Sequence, residues 1–332
     1  MVDARRAALV VGIDGYPGGA ASGCCNDARQ VARLLSTNAD GSPNWEVERV
    51  LGRQASIAVV STLELAARLQ RHFSGAEDTD LLFYFSGHAL STPLGVELCT
   101  QDGVEPASGF PLASLMALIR GANARSVTVI LDCCFAGDAG LDDGTERVGD
   151  RLQLATARIP EDVVILSSSQ AGQWSNQGAN LSGFTRTLIA GLEGAAADLE
   201  GNVNALSLFS HAHRAVTSRG PFPDLKANCD LLPVLRCTHA VVSPERLRTL
   251  TELFAEEDAA LHLTRDNVWD GSPEEEAAAD QYALDYLREL RNAGLVIADR
   301  AGTLMSLVEH GGDLRLTMRG RYYWTLARHR LV

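Results

Sequence analysis

The sequence predicts an α/β fold, in which a mostly parallel sheet is covered by helices on both faces, followed by a small C-terminal α+β domain. Over the first two thirds of the chain, short continuous apolar runs alternate with amphipathic stretches, as in strands joined by crossover helices. The runs lack the apolar/polar alternation of half-exposed strands, as expected for parallel strands buried on both faces. The length of 332 residues suits two domains.

The predicted strands are the apolar runs at residues 8–14, 47–51, 80–86, 126–132 and 162–167. Helices are predicted between or after them, at residues 26–35, 59–73, 112–120, 184–192 and 206–216. Ligands in open α/β sheets bind beyond the carboxyl ends of the strands. The side chains that follow these runs are therefore candidate site residues.

A second domain is predicted from a helix-start signal, because Ser243 is a suitable cap and Pro244 suits the first helical position. The predicted domains are residues 1–238 and residues 239–332. The second should contain helices at 245–256 and 274–291, a helix stop at 292–294, an antiparallel ribbon at 295–298, 303–308 and 314–317, and a last helix. Helices followed by a hairpin resemble a winged helix.

The composition excludes several classes of protein. With 46% hydrophobic and 21% charged residues, the chain is neither disordered nor of low complexity. Its net charge of -13 argues against binding of nucleic acid or anionic lipid that is driven mainly by electrostatic attraction. The apolar run at residues 7–13 is short for a signal core, and no stretch approaches the roughly 20 apolar residues of a membrane span. These features predict a cytoplasmic protein without a membrane partner, whose seven cysteines stay reduced.

Two residues that could form a catalytic dyad follow separate predicted strands. His88 comes after the strand at residues 80–86, and Cys134 comes after the strand at residues 126–132. An imidazole beside a thiol can take its proton and later protonate a leaving amine. The alternative is a buried cysteine pair and a structural histidine, since cysteine is among the most buried residue types.

The segments around these residues, SGH at 86–88 and DCCFAG at 132–137, resemble the catalytic motifs of caspase-like peptidases. The similarity is to the metacaspase and bacterial caspase-homologue branch, and Cys134 follows His88 at close to the caspase spacing of about 50 residues. The resemblance implies that Cys134, rather than Cys133, is the nucleophile. It covers about residues 5–236, including GFTR at 183–186, and does not reach the last domain.

A third segment, GCCNDA at 23–28, is similar to the metacaspase segment between the first strand and the first helix. The resemblance implies that four residues line the pocket for the residue before the cut: Cys24, Asp27, Ser86 and Asp132. Two carboxylates in a narrow pocket match a guanidinium, so arginine should precede the cut, with lysine tolerated. The alternative for Asp27 is a cap at the start of the first helix.

The peptide oxyanion needs hydrogen-bond donors, and the backbone N–H groups of Cys134 and of a turn at Gly87–Ala89 are the expected pair. Most relatives of this type have glycine where this chain has Ala89. The segments at 167–170 and 173–176 resemble the family's substrate-cleft wall, where a peptide adds as a strand. Trp174 is equally well explained as an ordinary core residue.

No resident metal or cofactor is predicted. The cysteine pairs at 24–25 and 133–134 lack the two-residue gap of zinc motifs, and His211 and His213 diverge on a helix. Many metacaspases require calcium, and acidic residues are present at Asp102, Glu105, Asp138, Asp142 and Asp143. They form no recognisable calcium loop. The sequence therefore leaves a calcium requirement open, with solvated carboxylates as the alternative.

The segment after the nucleophile contains Arg147, Arg151 and Arg158. Caspase-like zymogens are often cut in this region, so an enzyme that prefers arginine could cleave itself here. Solvated loop arginines are the alternative.

The C-terminal domain has 11 arginines, no lysine and 16 acidic residues from position 244 onward. Its one basic feature is the cluster Arg315, Arg319, Arg321, Arg328 and Arg330. This balance favours a regulatory or protein-contact domain over a DNA reader.

Together these observations predict a cysteine endopeptidase that cuts partner proteins after arginine. The resemblance to bacterial caspase homologues further implies a role in a bacterial defence or signalling system, with an upstream activator. Two alternatives are a caspase-fold scaffold without turnover and a peptidase-linked DNA-binding regulator.

Overall fold

A computed structural model describes residues 4–16, 23–53, 59–92, 95–105, 108–135, 159–168, 181–215, 223–230, 232–264 and 273–332. The side chains of residues 91, 134, 135 and 273–282 lie outside this description. The chain forms two compact units, one of Met1–Ala197 with Asn202–Thr238 and one of Asp198–Gly201 with His239–Val332.

The strands of the first unit are β1 Arg5–Ile13, β2 Glu46–Gly52, β3 Thr79–Thr92, β4 Gly95–Leu98, β5 Phe110–Pro111, β6 Ser126–Phe135, β7 Val163–Ser167, β8 Asn202–Asn204, β9 Asp224–Asn228 and β10 Val234–Cys237. Among the described residues, eight strands form the main sheet in the order β2-β1-β3-β6-β7-β9, with β4 and β5 continuing from β3. All neighbours along this order are parallel except β7 and β9. The predicted mostly parallel α/β sheet is confirmed.

The helices of the first unit are α1 Cys24–Ser36, α2 Thr62–Phe73, α3 Leu112–Gly121, α4 Gly183–Ala190 and α5 Ala205–Ala215, with a π-helical turn at Gly191–Ala195. They cover both faces of the sheet. Along β3, Phe83 and Phe85 pack into the core that contains α2 and α3, whereas Leu82 and Tyr84 pack into the core that contains α1, α4 and α5. Because successive residues enter opposite cores, the strand reads as one continuous apolar run.

Strand β3 extends beyond the point where the sequence predicts a turn. The turn expected at Gly87–Ala89 is wrong, because β3 continues to Thr92 and pairs with β4 in antiparallel register, with Ala89 opposite Leu98. The hairpin partner supplies hydrogen bonds that keep the chain extended past the edge of the parallel sheet. His88 therefore lies within a strand rather than in a loop.

The second unit contains α6 Pro244–Arg248, α7 Leu250–Leu253, β11 Ala260–Leu263, α8 Pro273–Asn292, β12 Val296–Ala298, α9 Leu304–His310, β13 Gly312–Leu316 and α10 Met318–Arg328. The predicted start of α6 is confirmed, since the Ser243 hydroxyl accepts a hydrogen bond from the Arg246 N–H. The three strands form an antiparallel sheet in the order β11-β13-β12. Leu250, Phe254 and Trp324 belong to its core.

One predicted strand of this unit is wrong. Residues 303–308 lie in and next to α9, because the Thr303 hydroxyl caps the helix by accepting from the Ser306 N–H at 3.1 Å. The third strand of the sheet is β11, which the sequence analysis did not predict. A winged-helix assignment for this unit stays a prediction. Within the described residues, no helix is long and apolar enough to cross a membrane.

Candidate active site

The catalytic candidates lie on adjacent parallel strands. In the register between β3 and β6, Ser86 is opposite Asp132, Gly87 is opposite Cys133, and His88 is opposite Cys134. Neighbouring strands are separated by about 4.8 Å. The backbone therefore brings the predicted dyad residues and two of the predicted pocket residues to one edge of the sheet.

His88 is held by Tyr16, a residue that the sequence analysis did not identify. The backbone N–H of His88 donates to the Tyr16 hydroxyl at 2.9 Å, and the two rings lie 4.6 Å apart at an angle of 38°. The hydroxyl in turn donates to the Cys99 carbonyl at 3.5 Å. Burial raises the pKa of Tyr16 well above its usual value, so the phenol stays neutral.

Gly87 is required by this arrangement. A Cβ atom at position 87 would lie 2.4 Å from the Tyr16 hydroxyl oxygen, which is much closer than a van der Waals contact. The Cys99 N–H also donates to the His88 carbonyl at 2.9 Å, so both backbone polar groups of His88 are bonded. The backbone around the imidazole is therefore fixed from two sides. A signal for Tyr16 was present in the sequence, because it follows the first strand at the same edge of the sheet.

Asp27 points into the protein. Its side chain is almost fully buried, its Oδ2 accepts from the Ser86 hydroxyl at 3.0 Å, and its Oδ1 accepts from the Ser182 N–H at 3.0 Å. The alternative that Asp27 caps the first helix is wrong, because Gly23 occupies the N-cap position in a left-handed conformation with φ of 103°. Burial, reinforced by the charge of Asp132, raises the pKa of Asp27 to about 7.

Asp132 is also buried, with 6% of its surface exposed. Its Oδ2 accepts from the Thr185 hydroxyl at 2.6 Å and from the hydroxyl of Ser182. Burial raises the pKa of Asp132, and the hydrogen bonds from these hydroxyl groups oppose that rise. The strand register and the shared contact with Ser182 thus bring Asp132 and Asp27 into one buried network.

This network combines two acidic groups with neutral donors. Within the described residues, no arginine, lysine or histidine forms an ion pair with Asp27 or Asp132. Two buried carboxylates without a cationic partner repel each other when both are ionised. A cation with several N–H donors, such as a guanidinium, would relieve that repulsion and bind both groups.

The adjacent cysteines Cys24 and Cys25 have different surroundings. Cys24 is half-buried beside Ser86, and burial together with nearby carboxylates raises the pKa of its thiol. Cys25 is buried, and its Sγ donates to the carbonyl groups of Gly12 at 3.3 Å and Gly52 at 3.5 Å. Burial raises the pKa of Cys25, and also that of Cys99, to about 12. These thiols are therefore neutral near pH 7.

Several sequence-predicted residues lie elsewhere. Asp102 is bonded to α2 and its own loop, where its Oδ1 accepts from the Thr62 N–H and the Thr100 hydroxyl, both at 2.8 Å. Glu105 is in the same loop, and His211 and His213 are on α5. In the part of the chain that the structure covers, no group of three or more His, Cys, Asp or Glu residues could hold a metal ion. The remaining predictions fall outside the described residues, namely those for Asp138, Asp142, Asp143, Arg147, Arg151, Arg158, residues 169 and 170 and residues 173–176.

Three comparisons with known proteins were made. A protein-family model described as a caspase domain matches residues 5–241. Among solved structures, protein GSU0716 from Geobacter sulfurreducens is similar, with 15% sequence identity and a TM-score of 0.48, over 70% of this chain and 97% of that chain. A search of curated proteins gave no match.

Proposed function

The chain belongs to the caspase family of cysteine peptidases, and from this premise we propose that it is an endopeptidase that cleaves partner proteins after arginine with a His88–Cys134 dyad. The observation that carries the proposal is the strand register, in which His88 on β3 is directly opposite Cys134 on β6. The family match supports a protein substrate in general. The arginine preference rests on the buried pair Asp27 and Asp132.

The proposed reaction begins with transfer of the Cys134 thiol proton to His88. The thiolate attacks the substrate carbonyl carbon, and the resulting oxyanion accepts hydrogen bonds from backbone N–H groups. His88 then gives its proton to the leaving amine as the C–N bond breaks, which leaves an acyl group on Cys134. Water, deprotonated by His88, hydrolyses this thioester and restores the thiol.

The predicted oxyanion donors are the N–H of Cys134 and an N–H of Gly87 or Ala89. The N–H of His88 is not available for this role, because it donates to the Tyr16 hydroxyl. The contact with Tyr16 therefore leaves the N–H groups of Gly87 and Ala89 as the candidate oxyanion donors on β3. The Tyr16 ring also packs against the imidazole, with the ring centres 4.6 Å apart.

The specificity pocket in this proposal consists of Cys24, Asp27, Ser86 and Asp132. An arginine guanidinium can donate to both carboxylates at once, whereas a lysine ammonium is a smaller point charge with less directional fit. Because the Cys24 thiol is neutral, it would act as a wall of the pocket and not as a second nucleophile.

We extend the proposal to regulation in a bacterial defence or signalling system. An upstream activator would release the peptidase, and self-cleavage would occur at Arg147, Arg151 or Arg158. The second unit would serve as a regulatory or protein-contact domain. These elements are supported by the family resemblance and by the arginines that follow the nucleophile in the sequence.

The test is cleavage of fluorogenic peptides with Arg, Lys, citrulline or Asp before the scissile bond, combined with mass spectrometry of the purified protein. Cys134→Ala should lower kcat/KM for the arginyl peptide on the order of 1000-fold or more and abolish self-cleavage. Cys133→Ala is the matched control, because Cys133 is the buried neighbour in the sequence. Activity that survives Cys134→Ala, or is lost only in Cys133→Ala, would contradict the proposal.

A further inference from the structure

The first turn of α4 contacts both carboxylates of the proposed pocket. Ser182 precedes the helix, and its N–H donates to Asp27 while its hydroxyl donates to Asp132. Thr185, one turn later, donates its hydroxyl proton to the same oxygen of Asp132 at 2.6 Å. None of these contacts was expected from the sequence, where residues 183–186 were only part of a family resemblance.

The hydroxyl of Thr185 donates to Asp132. This direction is required when Asp132 is ionised, because an ionised carboxylate only accepts hydrogen bonds. The Thr185 oxygen is then left to accept from the Tyr84 hydroxyl, which is 2.5 Å away. Ser182 likewise donates to Asp132 and accepts from the Thr185 N–H at 2.9 Å, as the cap of α4. Donors from β3 and α4 thus form one connected chain that ends on Asp132.

The two hydroxyl groups act on the same atom. Because both donate to Oδ2 of Asp132, rotation of the carboxylate about its Cβ–Cγ bond would break two hydrogen bonds at once. Thr185 has no exposed surface, so it cannot touch a substrate. Any influence of Thr185 on substrate binding must therefore be indirect, and of the groups that its hydroxyl contacts, Asp132 is the one in the proposed pocket.

We propose that Ser182 and Thr185 are positioning residues for the cation pocket: they hold the Asp132 carboxylate in the orientation that receives the arginine guanidinium. The inference rests on the proposed function, because it concerns the same pocket. It adds Ser182, the N-cap of α4, and Thr185 in its first turn to the residues that determine specificity. A bidentate contact depends strongly on the orientation of the carboxylate, so loss of a hydroxyl should weaken the binding of a guanidinium or amidinium.

The chain offers matched variants for this test. Thr185→Val keeps the shape of the side chain and removes the hydroxyl, whereas Thr185→Ser keeps the hydroxyl. The control is Thr128→Val on β6, because the buried Thr128 hydroxyl makes no hydrogen bond to any described part of the chain. Ser182→Gly removes only the second hydroxyl, since glycine is tolerated at N-caps and retains the N–H to Asp27. Its control is Ser61→Gly, at the cap of α2.

The experiment measures two quantities on the full chain. Benzamidine binding is followed by calorimetry in a Cys134→Ala background, and kcat and KM for an arginyl peptide are measured with Cys134 intact. Thr185→Val and Ser182→Gly should each raise the benzamidine Kd and the peptide KM on the order of 10-fold, with kcat changed by less than about 3-fold. Thr185→Ser should restore most of the lost affinity, and both control variants should bind as the wild type does.

The outcomes separate the inference from the proposed function. If the wild type binds benzamidine and both Thr185→Val and Ser182→Gly bind it equally well, the inference is overturned while the arginine pocket stands. If the wild type neither binds benzamidine nor cleaves after arginine, the proposed arginine specificity fails and the inference fails with it. A merely structural role would lower thermal stability without changing KM, which also overturns the inference.

Discussion

Buried carboxylates lie at both ends of the main sheet, and the two ends differ in whether a cationic side chain is bonded to them. At the amino end of β3, Asp80 accepts from Arg125 Nε at 2.9 Å and from the Ser126 hydroxyl at 2.6 Å. At the carboxyl end, Asp27 and Asp132 receive only neutral hydroxyl and N–H donors from the described residues. The comparison indicates that the amino end contains its own cation, whereas the carboxyl end has two acidic groups beside neutral donors, as the proposed arginine pocket requires.

The largest expected effect is a loss of folding stability when Asp80 is replaced at the amino end of the sheet. Asp80→Ala removes the buried carboxylate that pairs with Arg125 and leaves the buried Ser126 hydroxyl without this acceptor. Because the Arg125 side chain is 38% exposed and can be hydrated, we expect a loss of about 3 kcal/mol in the free energy of unfolding. Urea denaturation measures this change. Arginine selectivity should be preserved in whatever fraction stays folded, because Asp80 is at the opposite end of the strand from His88. A variant of normal stability that had lost selectivity would reverse the roles assigned to the two ends.

The next largest effect is a loss of activity when Asp132 is replaced at the carboxyl end of the sheet. Asp132→Asn keeps the size of the side chain and removes one charge from the pair. We expect kcat/KM for an arginyl peptide to fall on the order of 100-fold, because a buried charge-assisted contact is lost. The citrullyl peptide is the internal control, since it has no positive charge and its slow cleavage should change little. An equal loss for both peptides would mean that Asp132 acts on catalysis and not on recognition of the cation.

The smallest effect concerns stability and pH. Burial raises the pKa of Asp27 to about 7 in the folded chain, well above the usual value for an aspartate, so the folded state holds the proton more tightly than the unfolded state. Without a bound cation, folding stability should therefore fall as the pH rises from about 4 to about 7. Asp14, Cys24, Tyr84 and Asp132 are the other titratable groups that face this carboxyl or its partner.

Asp27→Asn removes this titration and should flatten that part of the pH profile. At pH 8 the variant should be more stable than the wild type by about 2 kcal/mol, although the proposed binding of arginine should be weaker. Chemical denaturation at pH 5 and pH 8 tests this expectation, with Asp102→Asn as a control at a carboxylate remote from the pair. A variant that is less stable than the wild type at pH 8 would show that Asp27 is a structural group.

The main features of the fold could be predicted because burial affects every parallel strand of the sheet in the same way. Parallel strands buried on both faces give long apolar runs, and side chains after neighbouring runs meet at one edge, as His88 and Cys134 do along the backbone. The extension of β3 past Gly87 could not be predicted in this way. It depends on pairing with β4, a strand of four residues at Gly95–Leu98 with a weak sequence signal.

The interior of the site was less predictable than its edge. Position alone makes an aspartate near the start of a helix a candidate cap, and only the family resemblance grouped Asp27 with Ser86. The hydrogen bond between these two side chains is a tertiary contact that the sequence pattern does not show. Tyr16 follows the first strand at the site edge, but its residue type is also typical of a core position. Its hydroxyl accepts a hydrogen bond from the backbone of His88, a contact that the sequence does not show. In the second unit, the apolar residues after Thr303 fit a short strand or a short helix equally well, and the cap decides for the helix.

The protonated thiols around the pocket have a consequence for chemical biology. Alkylating reagents attack thiolates, and burial keeps Cys24, Cys25 and Cys99 in their unreactive neutral form near physiological pH. A mild electrophile applied to the intact protein should therefore meet little background labelling from these three neighbours. Covalent probes and warheads could be compared on this protein without first mutating these three cysteines.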